Sequence, residues 1–599
     1  DPSTINLIDH DHFTPLIHAI KRSHFECVEL LLARSARIDP VSDADHIPLN
    51  LACEHGLVVI VELLLKQGSK ILPNAEGLYP QHLVARSGRN HQLLILLKEY
   101  GADLDQIDKL YSWTPLFHAA SEGNIHCLRT LLDFGVQVNV LDEKGLSAMY
   151  YAAWEGHLEC MRLISSASAD ARNISETKES AQKLSLNSSS NLKSKNTEID
   201  AIPELELPPP IIPLRRYGHS FLDTKILIQI SFDEDGHQPL TFFHDSKYPA
   251  ARLTLSSKLS ELIPKNILLP FQEDTRIVSF QTDSLDSFAI DFDVFPTYGA
   301  KIIAKTVALP HTFQALKTNS GRCCLPLFDP RLRVIGQIIF NFQVIKPFPG
   351  RTSEITDFAT YWKATSQLSH RPNAFITDYS LSGEYVQLLV QQTCDGTPVL
   401  WPNWTINHMG IELPVSSLTF AQFILAGSHG AKQSEELIAL QNKPLKSAAD
   451  FHRIFSNSAI SLRQALENLP RGMHVNLQIL YPTVTEEKAL HVRPANNIDS
   501  LCDAILTVVF NHARMIRDSF PDATCSVIFS SFNPTVCTAL NWKQPNYPIF
   551  LKNGLGSEIM PFDPTSIVTG ERQAISIKEA VRIAKDNNFM GLCCSSVLL

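Results

Sequence analysis

The segment VQQTCDGTPVLWPNWTI, from Val390 to Ile406, combines a strand pattern, an Asp-Gly turn and a second apolar run. In this arrangement the residues that follow the second apolar run lie at one edge of a predicted sheet, where α/β enzymes place catalytic side chains. Pro402 and Asn403 stand at that edge. Neither side chain exchanges a proton at neutral pH or holds a metal ion well, so acid–base or metal chemistry is not expected there.

The surrounding elements predict the scaffold that positions this edge. Strand and helix patterns alternate from about Ile355 to the end of the sequence, as in EYVQLLVQ, ISLRQALENLP, MHVNLQILYP and SIKEAVRIAKDNN. Alternation of this kind over roughly 240 residues is typical of a parallel α/β barrel. We therefore predict an α/β TIM-barrel-like domain over 351–599.

The strings GEYVQLLVQQTCDGTPVLWPN, VNLQILYP, IFSSFNP and LKNG resemble the glycerophosphodiester phosphodiesterase family of metal-dependent TIM barrels. In active members, the resemblance implies a Glu and an Asp that bind a divalent metal and a His-Asp pair that includes the acid–base group. The metal positions are Gln387 and Leu389 in this sequence, and the His-Asp pair is Pro402 and Asn403. All four substitutions remove charge or the titratable group.

Two further family positions have also lost their charge. A third metal-binding Glu falls on Gln478, the family lysine falls on Leu480, and SHRPN at Ser369–Asn373 only partly matches the family His-Arg-Gly. Neutral side chains lack the anionic oxygens that offset the dehydration of a divalent cation. The resemblance therefore implies a degenerate barrel, a pseudoenzyme without catalytic residues, metal or cofactor. The alternative is an active phosphodiesterase that is regulated by the repeats which precede it in the chain, described next.

Five related strings recur in the first 166 residues: TPLIHAI, IPLNLAC, YPQHLVA, TPLFHAA and SAMYYAA. Their spacings of 33, 32, 35 and 33 residues resemble the ankyrin period of about 33 and predict an all-α solenoid over 1–166. Such arrays bind proteins. His18, His82 and His118 are predicted to bond the backbone of neighbouring turns rather than a metal.

Two connecting segments follow the array. Residues 167–200 are rich in Ser, Asn and Lys and are predicted to be a disordered linker. Residues 201–224 contain PPPIIPLRRY and are predicted to be a proline-rich strap, acting either in docking or as a spacer. Predicted partner-binding residues at the array tips and in the strap are Asp11, His12, Phe13, Asp45, His46, Tyr111, Trp113, Leu205, Leu207, Ile212, Arg215, Arg216, Tyr217 and Phe221. Packing of Trp113 on a neighbouring repeat is an equally open alternative.

A period of two dominates 225–350, as in KILIQISF, SFAIDFDVF and GQIIFNFQVI. Alternating apolar and polar residues between turn signals predict an all-β, C2-like sandwich. Phe288, Ile290, Phe292 and Val294 are expected on one face of a strand. Four nearby aspartates are predicted to be solvated rather than to bind calcium: Asp283, Asp286, Asp291 and Asp293.

Bulk properties narrow the class of protein. The 599 residues carry a net charge of −10, which disfavours a nucleic-acid-binding protein. No apolar run reaches the roughly 18 residues of a membrane span. The 12 cysteines show no zinc or disulfide pattern, so reduced cysteines in the cytoplasm and nucleus are expected. Because the sequence starts without Met, we expect it to be a fragment.

This multidomain order of ankyrin repeats, β-domain and degenerate barrel resembles the fungal phosphate-starvation inhibitors of cyclin-dependent kinases. LSGEYVQ, GTPVLWPNWTIN and GIELPVS carry the resemblance, while the SPX domain of that family is absent. The resemblance implies binding and inhibition of a cyclin–cyclin-dependent-kinase complex. It implies no small-molecule substrate, nucleic acid or membrane as a partner.

Overall fold

In the computed structural model, the chain forms two compact units. The first comprises Asp1–Leu214, Asn553–Ala580 and Cys594–Leu599, and the second comprises Arg215–Lys552 and Val581–Cys593. Within the described residues, no helix combines the length and apolarity needed to cross a membrane. The described ranges, with side chains omitted for 169–179, are 4–10, 13–41, 46–179, 221–232, 238–243, 250–257, 263–272, 275–297, 301–314, 319–351, 385–427, 447–470, 473–519, 526–555, 574 and 576–594.

Helix pairs of the first unit confirm the predicted ankyrin solenoid. Most of the first helices begin with proline, whose fixed φ suits the first helical position. One apolar core runs through the array. The helices are α1 Pro15–Lys21, α2 Phe25–Ala33, α3 Pro48–Glu54, α4 Val58–Lys66, α5 Pro80–Ser87, α6 Gln92–Glu99, α7 Pro115–Glu122, α8 Ile125–Asp133, α9 Ala148–Glu155 and α10 Leu158–Glu179.

Gly88 shows how the repeats come close together. It follows α5 with a left-handed φ of +62°, and a Cβ there would lie 2.1 Å from Asn124 Oδ1. Asn124 donates from Nδ2 to the Ala85 and Arg86 carbonyls, both at 2.8 Å. Glycine is therefore required both for the backbone conformation and for the approach of the next repeat.

Helix α10 continues beyond the predicted end of the array. It runs from Leu158 to Glu179, so the predicted disorder of 167–200 is wrong for 167–179. Buried Cys160, Met161 and Ile164 anchor its first turns. A helix that is already nucleated extends at little cost through residues without Gly or Pro. The rest of the linker, and the strap as far as residue 220, lie outside the described residues.

An antiparallel sheet forms the C2-like part of the second unit, as predicted. Its order is β4-β3-β6-β7-β8-β9-β1-β5, and β2 also pairs with β9. A short helix, α11 (Pro310–Gln314), precedes β8. The strands are β1 Ile226–Ser231, β2 Leu240–Phe242, β3 Ala250–Ser256, β4 Lys265–Leu268, β5 Ile277–Thr282, β6 Ile290–Pro296, β7 Ala304–Ala308, β8 Ser320–Phe328 and β9 Val334–Ile345.

The core of this sheet follows the predicted alternation. Ile290, Phe292 and Val294 on β6 are fully buried, while Asp291 and Asp293 take the other face. The Phe292 ring stacks on Phe340 of β9, with ring centroids 5.2 Å apart. Asp286 accepts a hydrogen bond from Gln314 Nε2 at 2.7 Å. Carboxylates at β6 therefore lie outside the core.

The C-terminal part has the predicted α/β composition. Its sheet order is β14-β11-β10-β15-β16-β17-β18, and β12 and β13 form a separate hairpin. Elements after β9 are β10 Tyr385–Gln392, β11 Pro398–Leu400, β12 Thr405–His408, β13 Ile411–Pro414, α12 Phe420–Gly427, α13 Ala448–Ser456, β14 Ile460–Ser461, α14 Leu462–Asn468, β15 His474–Ile479, α15 Val484–Leu490, α16 Ile498–Ser519, β16 Val527–Ser531, α17 Pro534–Lys543, β17 Ile549–Lys552, α18 Ile577–Asp586 and β18 Gly591–Cys593.

This sheet departs from a fully parallel barrel in one respect. Strands β10, β15, β16, β17 and β18 are parallel, as predicted. Strand β11 instead returns antiparallel to β10, because the Asp-Gly turn of the TCDGTP stretch closes a hairpin. Over the ranges that the structure describes, the strand path does not close into a ring.

A buried ion cluster joins the C2-like sheet to the barrel helices. Lys543, at the end of α17, is fully buried and lies 3.0 Å from Asp499 and 2.9 Å from Asp503 of α16. Its ammonium also donates to the Lys346 carbonyl just after β9, at 2.8 Å. Asn319, just before β8, donates to Asp499 at 2.5 Å. Charged groups in this geometry hold the two domains of the second unit together.

Candidate functional site

Amides and a leucine occupy the positions at which the family resemblance places metal-binding carboxylates. Leu389 on β10 pairs in register with Gln478 on β15, and Gln387 lies two residues earlier on the same face. Gln387 donates from Nε2 to Gln478 Oε1. Leu389 is 8% exposed and Gln478 is 2% exposed. These three side chains therefore meet in the structure, but they carry no charge.

Lys552 completes this cluster and was not recognised from the sequence. Its Nζ lies 2.5 Å from Gln478 Oε1 and 5.3 Å from the centroid of the Phe532 ring. Burial lowers the pKa of Lys552. An ammonium at this oxygen repels a metal cation, so the cluster is electrostatically opposed to a divalent site. The only sequence signal was a lysine at the end of an apolar strand, in LKNG.

Pro402 and Asn403 lie in the loop after β11. Gln391 Nε2 donates to the backbone carbonyls of Trp401 at 2.9 Å and Asn403 at 2.6 Å. The Asn403 side chain is exposed. Gln391 thus fixes the loop through its backbone, which is a structural role.

A small cavity with a mixed polar and apolar lining lies at this mouth of the sheet. Its volume is about 20 Å³, and its lining includes Gln391, Gln392, Leu480, Arg493 and Asn496. A cavity of this size holds about one water molecule.

Two histidines in this part of the chain form hydrogen bonds with backbone groups. His452 bonds the Gln387 carbonyl at 2.7 Å through Nδ1, and His474 Nδ1 accepts from Ser526 N at 3.1 Å. SHRPN at Ser369–Asn373 lies outside the described residues. No group of three or more His, Cys, Asp or Glu side chains that could hold a metal ion occurs in the part of the chain that the structure describes.

Array tips carry the other predicted site. Asp11, His12 and Asp45 lie outside the described residues. The Phe13 ring packs on His46 of the next repeat, with centroids 4.6 Å apart, and Lys21 lies 4.4 Å above it. Phe13 and His46 therefore help to hold the first two repeats together.

Trp113 packs within the array, which favours the alternative left open for it. Its ring lies 4.5 Å from Tyr151 and 5.8 Å from Phe117, and its Nε1 donates to Asp142 at 3.3 Å. Tyr111, in contrast, is 50% exposed. Of these two aromatic residues, Tyr111 is the one that presents a free ring surface at the tip.

Two tip aspartates, the buried Asp108 and the exposed Asp9, bond histidines, and these bonds were not anticipated from the sequence. Asp108 bonds His118 Nε2 at 2.8 Å and accepts the backbone N–H of Tyr111 at 2.7 Å. Burial disfavours its charge, but the His118 and backbone hydrogen bonds outweigh it and lower the pKa of Asp108 to about 2. His18 bonds Asp9 in the same way, at 2.6 Å. The predicted backbone bonding is thus wrong for His18 and His118, because a tip carboxylate takes that place.

His82 behaves as predicted. Its Nδ1 accepts from Tyr79 N at 3.0 Å, and its Nε2 donates to the Gln106 carbonyl of the next tip at 2.8 Å. Burial, together with the nearby His118, lowers the pKa of His82 to about 4. The neutral ring is therefore the form that ties the third repeat to the fourth.

We expect the array to lose stability between pH 7 and pH 5. His82 binds a proton near its ordinary pKa of about 6.5 when unfolded and only near 4 when folded, so acidification favours the unfolded form by about 2 kcal/mol over this range. Native-state hydrogen exchange of α5, corrected for intrinsic rates, measures the effect. His82→Gln should flatten the dependence, whereas His126→Gln, at an exposed position, should leave it. Equal slopes in both variants would contradict the assignment.

Of the predicted strap residues, Phe221 is the one described. It is half-buried, and the next residue, Leu222, donates its N–H to the Trp542 carbonyl at 2.8 Å. The others lie outside the described residues: Leu205, Leu207, Ile212, Arg215, Arg216 and Tyr217. The end of the strap is therefore attached to the second unit.

Comparisons with known proteins agree with this architecture. The family described as ankyrin repeats (3 copies) matches residues 2–75 and 81–174, and the GDE1-like C2 domain matches 159–349. The chain is 58% identical over its whole length to the ankyrin repeat protein nuc-2 of Neurospora crassa. Over 98% of its length it is 30% identical to the phosphate system positive regulatory protein PHO81 of Saccharomyces cerevisiae. The chain belongs to the family of nuc-2 and PHO81.

Similarity to phosphodiesterases is more distant than similarity to the nuc-2 and PHO81 family. The glycerophosphocholine phosphodiesterase GDE1 of Candida albicans is 22% identical over 99% of the chain. The chain spans 59% of nuc-2, 57% of PHO81 and 55% of this GDE1. The C2 match also begins before β1 and takes in the predicted linker and strap.

Proposed function

We propose that the chain inhibits a cyclin–cyclin-dependent-kinase complex in phosphate-starvation signalling. In this proposal it acts by protein–protein binding through the array tips and the strap, in the cytoplasm and nucleus. The name of PHO81, a phosphate system positive regulatory protein, supports the signalling context. Ankyrin arrays act mainly as protein-binding surfaces, which supports a protein partner.

We favour a binding function over catalysis because of the side chains at the family's metal positions. Gln387, Leu389 and Gln478 are uncharged, and they surround the Lys552 ammonium. A metal-dependent phosphodiesterase needs anionic ligands for its cation and an acid for the leaving alkoxide. The cluster offers an ammonium and two amides instead. The alternative is an active glycerophosphodiester phosphodiesterase, which has support from the 22% identity to GDE1.

Turnover and partner capture distinguish these functions. Purified chain is incubated with glycerophosphocholine and magnesium or calcium, and turnover that stops on chelation would establish the phosphodiesterase. Tagged chain is separately used to capture proteins from phosphate-starved cells. Capture of a cyclin–kinase pair whose kinase activity falls on adding the chain supports the proposal. Capture without any effect on kinase activity would contradict inhibition.

Tyr111→Ala is expected to weaken binding to the captured cyclin–kinase complex by about 1–2 kcal/mol, or about 5- to 30-fold. Tyr111 is a half-exposed aromatic at a tip, the kind of residue that anchors interfaces. Titration calorimetry or surface binding with full-length chain measures the change. Phe25→Ala is the matched control, because Phe25 is 38% exposed and begins α2 away from the tips. Equal losses for both variants would remove the tip from the interface.

A further inference from the structure

Two short pieces of C-terminal sequence belong to the ankyrin unit. The chain passes into that unit between Lys552, the end of β17, and Asn553, and leaves it between Ala580 and Val581. The described residues of this excursion include Asn553–Leu555 and Ser576–Ala580. We call these eight residues the cap segment.

Apolar contacts attach the cap segment to the array. Leu555 is only 2% exposed and lies in the same buried cluster as Met161 and Ile164 of α10. Ile577 packs against that cluster as well. Burial of a leucine side chain typically contributes roughly ten- to a hundredfold in an equilibrium constant, so these contacts stabilise the attachment of the cap segment.

Polar contacts fix the cap segment on the last repeat. Ser576 Oγ donates to the Trp154 carbonyl at 2.9 Å, near the end of α9, and accepts from Glu579 N at 3.2 Å. Lys578 Nζ lies 3.1 and 3.0 Å from the two carboxylate oxygens of Glu155. Ser576 therefore caps the N-terminus of α18 and also donates a hydrogen bond to a backbone carbonyl near the end of α9.

Asn553 holds the two pieces of the cap segment together. It is 1% exposed, its Oδ1 accepts from Leu555 N at 3.0 Å, and its Nδ2 donates to the Ser576 carbonyl at 3.5 Å. The cap segment thus presents two apolar side chains, one hydroxyl and one ammonium to the array, and Asn553 holds its two pieces in place.

We propose that the cap segment is the C-terminal cap of the ankyrin array, supplied by the barrel region of the same chain. In a solenoid each repeat is stabilised by its neighbours, and the terminal repeat needs a cap because it has a neighbour on one side only. Apolar residues of the cap segment meet the terminal repeat, and Lys578 pairs with its acidic end. This gives that part of the barrel sequence a structural role that requires no catalysis.

A cap of this kind couples the cap segment and the last repeat energetically. Whatever loosens the cap segment weakens the last repeat, and by thermodynamic reciprocity a protein that stabilises α9 and α10 also stabilises the cap segment. Because α9 and α10 make up the last repeat, the binding surface of the array would respond to the state of the cap segment.

Native-state hydrogen exchange on the full chain tests the cap. In Leu555→Ala, exchange of α9 and the first turns of α10 should accelerate at least about tenfold, while α1 to α4 and strands β15 and β16 keep their rates. Lys578→Glu should accelerate α9 about two- to fivefold, because it places two carboxylates together. Adding Glu155→Lys to Lys578→Glu should restore the original rate.

Lys585→Glu is the matched control, since Lys585 is an exposed lysine on the same helix. It should leave α9 unchanged. The proposal is overturned if α9 keeps its rate in both Leu555→Ala and Lys578→Glu. It is equally overturned if the charge swap fails to restore α9, or if β15 and β16 accelerate as much as α9.

Discussion

Lys543→Met is expected to lower the free energy of unfolding of the second unit by about 3–5 kcal/mol, because it leaves two largely buried carboxylates without their cation. Lys543 is fully buried between Asp499 and Asp503 and also donates to the Lys346 carbonyl. Methionine preserves much of the side-chain volume, so the loss reports on charge rather than on a cavity. The effect should reach both domains of the second unit, because Lys346 follows the C2-like sheet and Lys543 ends a barrel helix.

Native-state hydrogen exchange of β9 and α16 in low urea measures this loss. Lys488→Met, at an exposed position of α15, should change neither element. Adding Asp499→Asn and Asp503→Asn to Lys543→Met should recover part of the stability, since neutral amides carry a smaller desolvation cost than unpaired charges. Unchanged exchange in Lys543→Met would show that the ion cluster does not hold the joint.

Local signals explain why the array was predictable from sequence. Most repeats carry their own proline, glycine and apolar positions, so the fold depends on contacts between sequence neighbours. His82 follows that logic and bonds the next tip. The burial of Asp108 was not predicted, because an aspartate in a turn is usually exposed to solvent. Its pairing with His118 depends on tip conformation, which local composition does not encode.

Contacts between distant residues account for most of what was missed. Lys543 and Lys346 are 197 positions apart, and no periodicity relates them. Ser576 and Trp154 are 422 positions apart, so contiguous domain boundaries could not include the cap segment. The helical start of the predicted linker has a different cause. Its composition is compatible with both coil and helix, and packing of Ile164 and its neighbours upstream decides the outcome.

The sequence predicted only those residues of the candidate site that match positions of the family motif. Register brings Gln387, Leu389 and Gln478 together, as expected of neighbouring parallel strands. Lys552 comes from β17, which is two strands beyond β15 in the sheet, so its contact with Gln478 required side-chain placement. Because of this lysine, the site carries a positive charge where the family resemblance implies negative ones.

Restoring the carboxylates alone is therefore expected to give little metal binding. We expect a variant with Gln387→Glu, Leu389→Asp and Gln478→Glu to bind Mn²⁺ weakly, because the Lys552 ammonium pairs with the new carboxylates. Adding Lys552→Met should raise Mn²⁺ affinity at least about a hundredfold, since removing one adjacent positive charge at an effective dielectric near 20 is worth several kcal/mol. Titration calorimetry or Mn²⁺ electron paramagnetic resonance measures the affinity.

The single variant Lys552→Met is the matched control for this experiment. It should bind Mn²⁺ no better than the unmodified chain, because amides and a leucine do not replace anionic oxygens. Circular dichroism and exchange of β10 and β15 establish that the quadruple variant is folded. Tight Mn²⁺ binding by the triple variant with Lys552 in place would show that the ammonium does not oppose a cation there. Tight binding by the unmodified chain would restore the metal-dependent phosphodiesterase as the better account of the barrel.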